Sequence, residues 1–221
     1  AGAVWLVRVP ALPIKQGMFA EALPPTRRGE VEQVLPASLK GNFFSLNLDV
    51  VRASLQTLPW VRKVDVRRIW PDKLEISIEE HKPVARWGEG RSELVNSFGE
   101  VFAAQLPEEE GVGLPLLFGP NGTAQEVLTH YGNFVQAFKT VGETPVQVTL
   151  SPRLAWQLKL QNGMLVDIGR EQTKAPVGVR LQRFIEIYPE TVARQAVRPA
   201  VVDLRYPNGF AMRVAGEGKG K

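Results

Sequence analysis

The chain predicts an α+β fold in two parts: a β-α-α-β-β segment, then a larger, mostly antiparallel β region with two helices. Three observations carry this. In residues 73–79, Leu74, Ile76 and Ile78 alternate with Lys73, Glu75, Ser77 and Glu79, the period-two pattern of a sheet with one wet face. Two apolar stripes at helical spacing stand among many short strand-like runs. One is Val127, Leu128, Tyr131, Phe134, Val135 and Phe138, and the other is Val177, Leu181, Phe184, Ile185 and Tyr188. At 221 residues, 44% hydrophobic and 23% charged, the chain holds one large or two modest cores and is unlike a disordered polymer.

In chain order, residues 14–23 form a first strand, ended by Pro24-Pro25. Arg28 to Leu35 is a short helix with Val31, Val34 and Leu35 on one face, closed by Pro36. Asn47 or Ser45 caps a second helix whose core side is Leu48, Val51, Leu55 and Leu58. A hairpin follows. Val64 and Val66 alternate in its first strand, the pattern slips at Arg67-Arg68, where a bulge is expected, and Trp70-Pro71-Asp72-Lys73 reverses the chain. The first part ends near His81.

After Lys82-Pro83 the expected strands are 85–87, 93–96, 101–104, 146–150, 156–160, 164–168, 201–206 and 210–214. Helices span Thr123 to Thr140 and Val177 to Tyr188. Gln161-Asn162-Gly163 is a hairpin turn, since Asn-Gly tolerates positive φ at both central positions. Residues 107–113 form an acidic loop and 216–221 a mobile basic tail. The resulting divisions are 1–11 (anchor end or linker), 12–82, 83–215 and 216–221.

Composition narrows the function classes. Without cysteine there is no disulfide, thiolate metal site or cysteine nucleophile. Between Arg153 and Arg205 nine Lys or Arg face five Asp or Glu. That basic excess suits an acidic partner, nucleic acid or anionic lipid, or is simply a solvated face. The two histidines, His81 and His130, lack metal-ligand spacing. Ser97, His130 and Asp167 make a triad only on paper, with no nucleophile elbow, and Gly111–Gly113 and Gly119–Gly122 lack the lysine and helix of a phosphate loop. Trp60, Trp70 and Trp87 interleave with Arg62, Arg67, Arg68 and Arg86. They fall at strand ends, where closing the core is the simpler role than stacking on nucleic acid bases. The chain reads as non-enzymatic, without cofactor or metal. The apolar run Ala1 to Val7 is too short to cross a bilayer and is either the outer end of a membrane helix or a frayed terminus.

Several motifs together resemble one family. Gly41-Asn42-Phe43-Phe44, Leu58-Pro59-Trp60-Val61, Val66-Arg67-Arg68 with Trp70-Pro71, and Glu80 followed by Pro83, Ala85, Arg86 and Trp87 are similar to the POTRA region of the FtsQ/DivIB bacterial cell-division family. Leu114 to Pro120 leading into Gly122 to Leu128, and Val202-Asp203-Leu204-Arg205-Tyr206 followed by Asn208-Gly209, continue the resemblance over roughly residues 12 to 214. It implies a POTRA domain at 12–82, with two helices on a three-stranded sheet, and a β domain at 83–215. It also implies a single-pass inner-membrane protein with this region in the periplasm, enriched at the septum, scaffolding cell division without catalysis. The alternative is a POTRA module handling peptides in outer-membrane assembly or secretion. Such proteins usually carry repeated POTRA units and a membrane barrel.

The resemblance also implies a site. The last strand is expected to be a sheet edge, with unpaired N–H and C=O groups that invite another chain. The family receives there a strand from the small protein FtsB, itself paired with FtsL, while the POTRA domain meets other division proteins. Arg205 and Tyr206 fall on contact positions, Asn208 and Gly209 on the adjoining turn, Phe210 and Ala211 on the edge strand, and Arg153 on a basic position that meets an acidic residue. The bland reading is an inward Tyr206 and solvated arginines. One departure stands out: some members of the family carry a tryptophan near the end of this strand, where this chain has Val214.

Overall fold

The computed structural model describes residues 16–19, 25–38, 46–70, 73–90, 92–104, 106, 111–195, 199–206 and 208–214. The expected anchor end, the Ser45 cap, the Pro71-Asp72 turn, residues 107–110 of the acidic loop and the basic tail lie outside them. Two compact units, Ala1–Lys82 and Pro83–Lys221, each have their own apolar core.

In the first unit, β1 (Gln16–Phe19) precedes helices α1 (Pro25–Ser38) and α2 (Leu48–Leu55) and the hairpin β2 (Val61–Ile69) and β3 (Lys73–Glu80). β3 lies centrally, parallel to β1 and antiparallel to β2. Asn47 starts α2 by accepting the Asp49 N–H at 2.9 Å, satisfying one of the first-turn donors a helix leaves free. Val51 and Leu55, one turn apart, are fully buried with Val31 against Val64, Val66, Leu74 and Ile76 of the sheet. Each such side chain contributes about 1.5–3 kcal/mol by leaving water. Trp60 joins helix to sheet: its Nε1 donates to Glu30 at 2.6 Å, while Arg27 covers its ring and pairs with Glu80.

Three expectations change here. Helix α1 starts at Pro25 and passes Pro36 to reach Ser38. A proline removes one i→i−4 bond, and two further residues stay helical beyond it. The β2–β3 register is unbroken at Arg67-Arg68 and shifts instead between Val61 and Lys63. Arg67 sits directly opposite Glu75 and pairs with it, a cross-strand ion pair that favours the regular register. Trp70 does not close the core: at the hairpin tip it is 80% exposed.

The described residues of the second unit form one sheet of nine strands. In chain order they are β4 (Pro83–Trp87), β5 (Glu93–Asn96), β6 (Val101–Ala103), β7 (Leu116–Phe118), β8 (Pro145–Leu150), β9 (Ala155–Leu160), β10 (Leu165–Arg170), β11 (Pro199–Asp203) and β12 (Ala211–Val214). The spatial order is β12-β11-β10-β9-β8-β7-β4-β5-β6. Five neighbouring pairs are antiparallel and three parallel, the latter being β4–β7, β7–β8 and β10–β11. A parallel neighbour needs a crossover, and helices supply two of the three: α3 (Ala124–Lys139) links β7 to β8, and α4 (Val177–Thr191) links β10 to β11, while β4 reaches β7 by way of β5 and β6. The helices touch each other and cover one face of the sheet. On β9, Trp156, Leu158 and Leu160 face that core, while Gln157 and Lys159 point the other way. Phe184 of α4 is fully buried, with edge-on contacts to Phe138, Tyr188 and Phe210.

Strand β7 has no counterpart in the sequence reading. Three apolar residues between Pro115 and Gly119 show no alternation, because a strand with parallel neighbours on both sides has little need of it. α4 runs beyond Tyr188 through Pro189 to Thr191. The 161–163 turn differs from an Asn-Gly turn with two positive φ angles, since only Gly163 is positive, at 89°. Leu160 and Met164 close a three-residue loop, and Asn162 uses its side chain to accept the Met164 N–H at 2.9 Å. Finally, β11 stops at Asp203 rather than Tyr206, and β12 begins at Ala211 rather than Phe210.

Candidate partner-binding edge

Among the described residues strand β12 is the outermost of the large sheet, paired only with β11. Ala211, Met212 and Arg213 are exposed, and among the described residues no helix or strand lies beyond β12 in the sheet. Its far edge carries backbone groups available to an incoming strand.

Register places the other candidates. β12 is antiparallel to β11, β11 parallel to β10, and β10 antiparallel to β9. The start of β12, the end of β11, Arg170 and the start of β9 therefore share one end of the sheet. Arg205, Tyr206, Asn208 and Gly209 connect β11 to β12 there, and Arg153 belongs to the turn that enters β9. That turn is tight: the Leu154 N–H bonds Ser151 O at 2.8 Å, and Ser151 Oγ accepts the Ala155 N–H at 3.0 Å. Leu154 takes a φ of 58°, unusual for a side chain with a Cβ, and is 58% exposed beside Arg153.

β11 ends at Asp203 for a local reason. The Asp203 carboxylate accepts the Arg205 N–H at 3.0 Å, an Asx turn that bends the chain away from the ladder. Leu204 donates to Asp167 O at 2.7 Å and then buries its side chain. Tyr206 is left 54% exposed, not packed inward. Arg205 is exposed as well, but its guanidinium is held on Asp203. The paired Arg205 holds Asp203 below the usual carboxylate range, and the same contact raises the Arg205 pKa. Phe210 differs from its neighbours: it packs on Phe184, ring centroids 5.5 Å apart, so its side chain belongs partly to the core.

Beneath Arg205 lies a bulge. The β9–β10 register shifts between Asp167 and Gly169, and Gly169 has a φ of 83°. A Cβ there would come within 2.8 Å of Arg205 Cγ, so only glycine lets the arginine stem cross. Leu154, Met212, Arg170 and Gly169 were not singled out by the sequence. Of these only Gly169, a glycine interrupting an apolar strand, carries a signal in the sequence, that of a bulge.

The remaining candidates do not converge. His130 is not on a free polar face, since its ring lies 4.3 Å from that of Trp156. Asp167 is on the opposite side of the sheet, accepting from Gln157 at 2.8 Å, so the paper triad is split between two faces. Among the described residues no group of His, Asp and Glu is placed to hold a metal ion, and no helix is long and apolar enough to cross a membrane.

Known proteins resemble the chain along most of its length. Residues 26–81 match the family model "POTRA domain, FtsQ-type", and residues 85–205 match "Cell division protein FtsQ/DivIB, C-terminal". Cell division protein FtsQ of Burkholderia pseudomallei is 41% identical over 220 residues, covering 98% of this chain and 85% of that protein. The Nitrosospira multiformis protein of the same name is 36% identical, covering 95% and 86%, and that of Escherichia coli 31%, covering 94% and 75%.

Proposed function

Because this chain belongs to the FtsQ/DivIB family of bacterial cell-division proteins, we propose that it is a non-enzymatic scaffold of the division machinery that holds FtsB, itself paired with FtsL, by strand addition at β12. The observation that carries this is the outermost place of β12 among the described strands, with Tyr206 exposed at its head and Arg153 at the same end of the sheet. Main-chain pairing supplies affinity in such additions, and pockets for alternate side chains supply specificity. Tyr and Arg, with Trp, are the side chains enriched at interface hot spots. Asn208 and Gly209 form the turn against which the added strand registers. Phe210 and Ala211 present backbone, with Phe210 anchored to the core by its ring.

In this reading the region 83–215 works in the periplasm, at the septum, tethered through an N-terminal anchor in the inner membrane. The POTRA domain, 12–82, meets other division proteins. Nucleic acid, cofactor and metal have no part in it.

Amide exchange tests the strand addition. When the soluble periplasmic fragments of FtsB and FtsL are added, the amides of residues 211–214 should become protected while those of β6, the opposite edge, stay as they were. Protection confined to some other surface would rule out β12 as the docking edge.

A further inference from the structure

Arg180 is the one buried charged side chain among the described residues, only 3% exposed. Among the described residues it has no carboxylate partner. Its terminal nitrogens donate to the carbonyls of Ile168 and Arg170, one residue to either side of Gly169, and its Nε has no partner among the described residues. Burial draws its pKa down from the ordinary value, with Glu171 opposing from nearby. Glu171 itself is engaged elsewhere, accepting the Val177 N–H that opens α4 at 3.1 Å.

A buried guanidinium held only by main-chain oxygens is costly, and an apolar residue on the stripe of Val177, Leu181, Phe184 and Ile185 would bury without that cost. What the arginine adds is a rigid fork across the bulge. Both arginines crowd Gly169: a Cβ there would stand 3.4 Å from an Arg180 terminal nitrogen and 2.8 Å from Arg205 Cγ. Above the bulge, Arg205 lies on Asp203, whose strand is tied to β10 by the Leu204 N–H on Asp167 O.

We propose that Arg180 is a positioning residue for the partner-binding end: its clamp on the Ile168 and Arg170 carbonyls fixes the Gly169 bulge, which seats the Arg205 stem and sets the direction of residues 203–206. The proposal rests on the reading of this end as the FtsB site. The clamp explains why a binding loop of exposed residues is presented by a buried charge on the helix beneath it. Arg180 itself touches no partner.

The test is a double-mutant cycle by titration calorimetry with the soluble FtsB–FtsL fragments, well below the unfolding temperature. Arg180→Lys keeps the charge and loses the fork, and it should weaken binding about tenfold, while adding less than about twofold in an Arg205→Ala background. Parental affinity in Arg180→Lys, or an equal loss in both backgrounds, would overturn the positioning role. If Arg205→Ala alone binds like the parent, the reading of the site fails, and the clamp is then judged by exchange in the free protein. There the amides of residues 203–206 should exchange about tenfold faster in Arg180→Lys with β8 and β9 unchanged. Unchanged exchange at 203–206 contradicts the clamp. Should Arg180→Lys not fold, Gly169→Ala presses on Arg205 directly with Arg180 intact, and parental affinity in that variant sinks the proposal.

Discussion

Arg205 folds its guanidinium back onto Asp203, two residues earlier: Nε lies 2.8 and 3.0 Å from the two carboxylate oxygens, and a terminal nitrogen lies 2.5 Å from one of them. The same carboxylate accepts the Arg205 backbone N–H. One aspartate thus ends strand β11, shapes the loop and parks the side chain expected to meet a partner.

That relationship has a pH signature. Asp203 is held below its ordinary value, chiefly by the Arg205 side-chain hydrogen bond. A depressed carboxylate stabilises the fold above its unfolded-state pKa of about 3.9, and that stability is lost as pH falls through the lower folded value. Asp203→Asn should therefore flatten the acid limb of the unfolding profile below about pH 4 and leave the neutral slope unaltered. Thermal unfolding followed by circular dichroism between pH 2 and 6 checks this. An unchanged acid limb would mean that another carboxylate governs it.

The core of the second unit makes a stability prediction. Phe184 is fully buried and meets three other rings. Phe184→Ala should cost about 3–5 kcal/mol, from lost transfer energy plus the cavity left behind. Urea unfolding measures it. Because Phe210 packs on Phe184, the same variant should also loosen the head of β12.

Between strands β5 and β6, Gly99 has a φ of 78°, and a Cβ there would lie 2.5 Å from the Gln125 Cα at the start of α3. Gly99→Ala combines backbone strain with a main-chain clash and should cost about 2 kcal/mol or more. The measurement is again chemical denaturation, and a loss below about 0.5 kcal/mol would show that the hairpin tip shifts freely.

The two units should divide the labour. Deleting residues 12–81 is expected to abolish septal recruitment while the rest of the chain folds and binds FtsB. Fluorescence microscopy of the tagged truncation decides this, since a truncated protein still at midcell contradicts a targeting role for the POTRA domain.

Much of the fold was legible because binary patterning is local. The alternation from Leu74 to Ile78 announced β3, and the stripes on α3 and α4 announced their buried faces. β7 was not legible, since three consecutive apolar residues, of which only Leu117 is fully buried, show no hydrophobic alternation in the sequence. Trp70 misled because a tryptophan at a strand end says nothing about which side of the hairpin tip faces water. The bend at Asp203 was hidden, because Asp-Leu-Arg-Tyr reads equally well as strand until the carboxylate is seen bonding two residues ahead. Arg180 was the least legible residue, as an arginine within a helix is normally a solvated charge, and only the bulge beside it gives it carbonyls to hold.

The end of the sheet bearing β12 is the surface we propose for the partner. Titration calorimetry of the soluble FtsB–FtsL fragments against Tyr206→Ala and Arg153→Glu tests it most directly, with circular dichroism confirming that both variants keep the fold. Each variant should bind at least about tenfold more weakly than the parent, a loss of about 1.4 kcal/mol or more, since truncating a central Tyr or Arg commonly costs about 2 kcal/mol. If both variants bind with the parent's affinity, FtsB docks elsewhere and the proposed edge site is wrong.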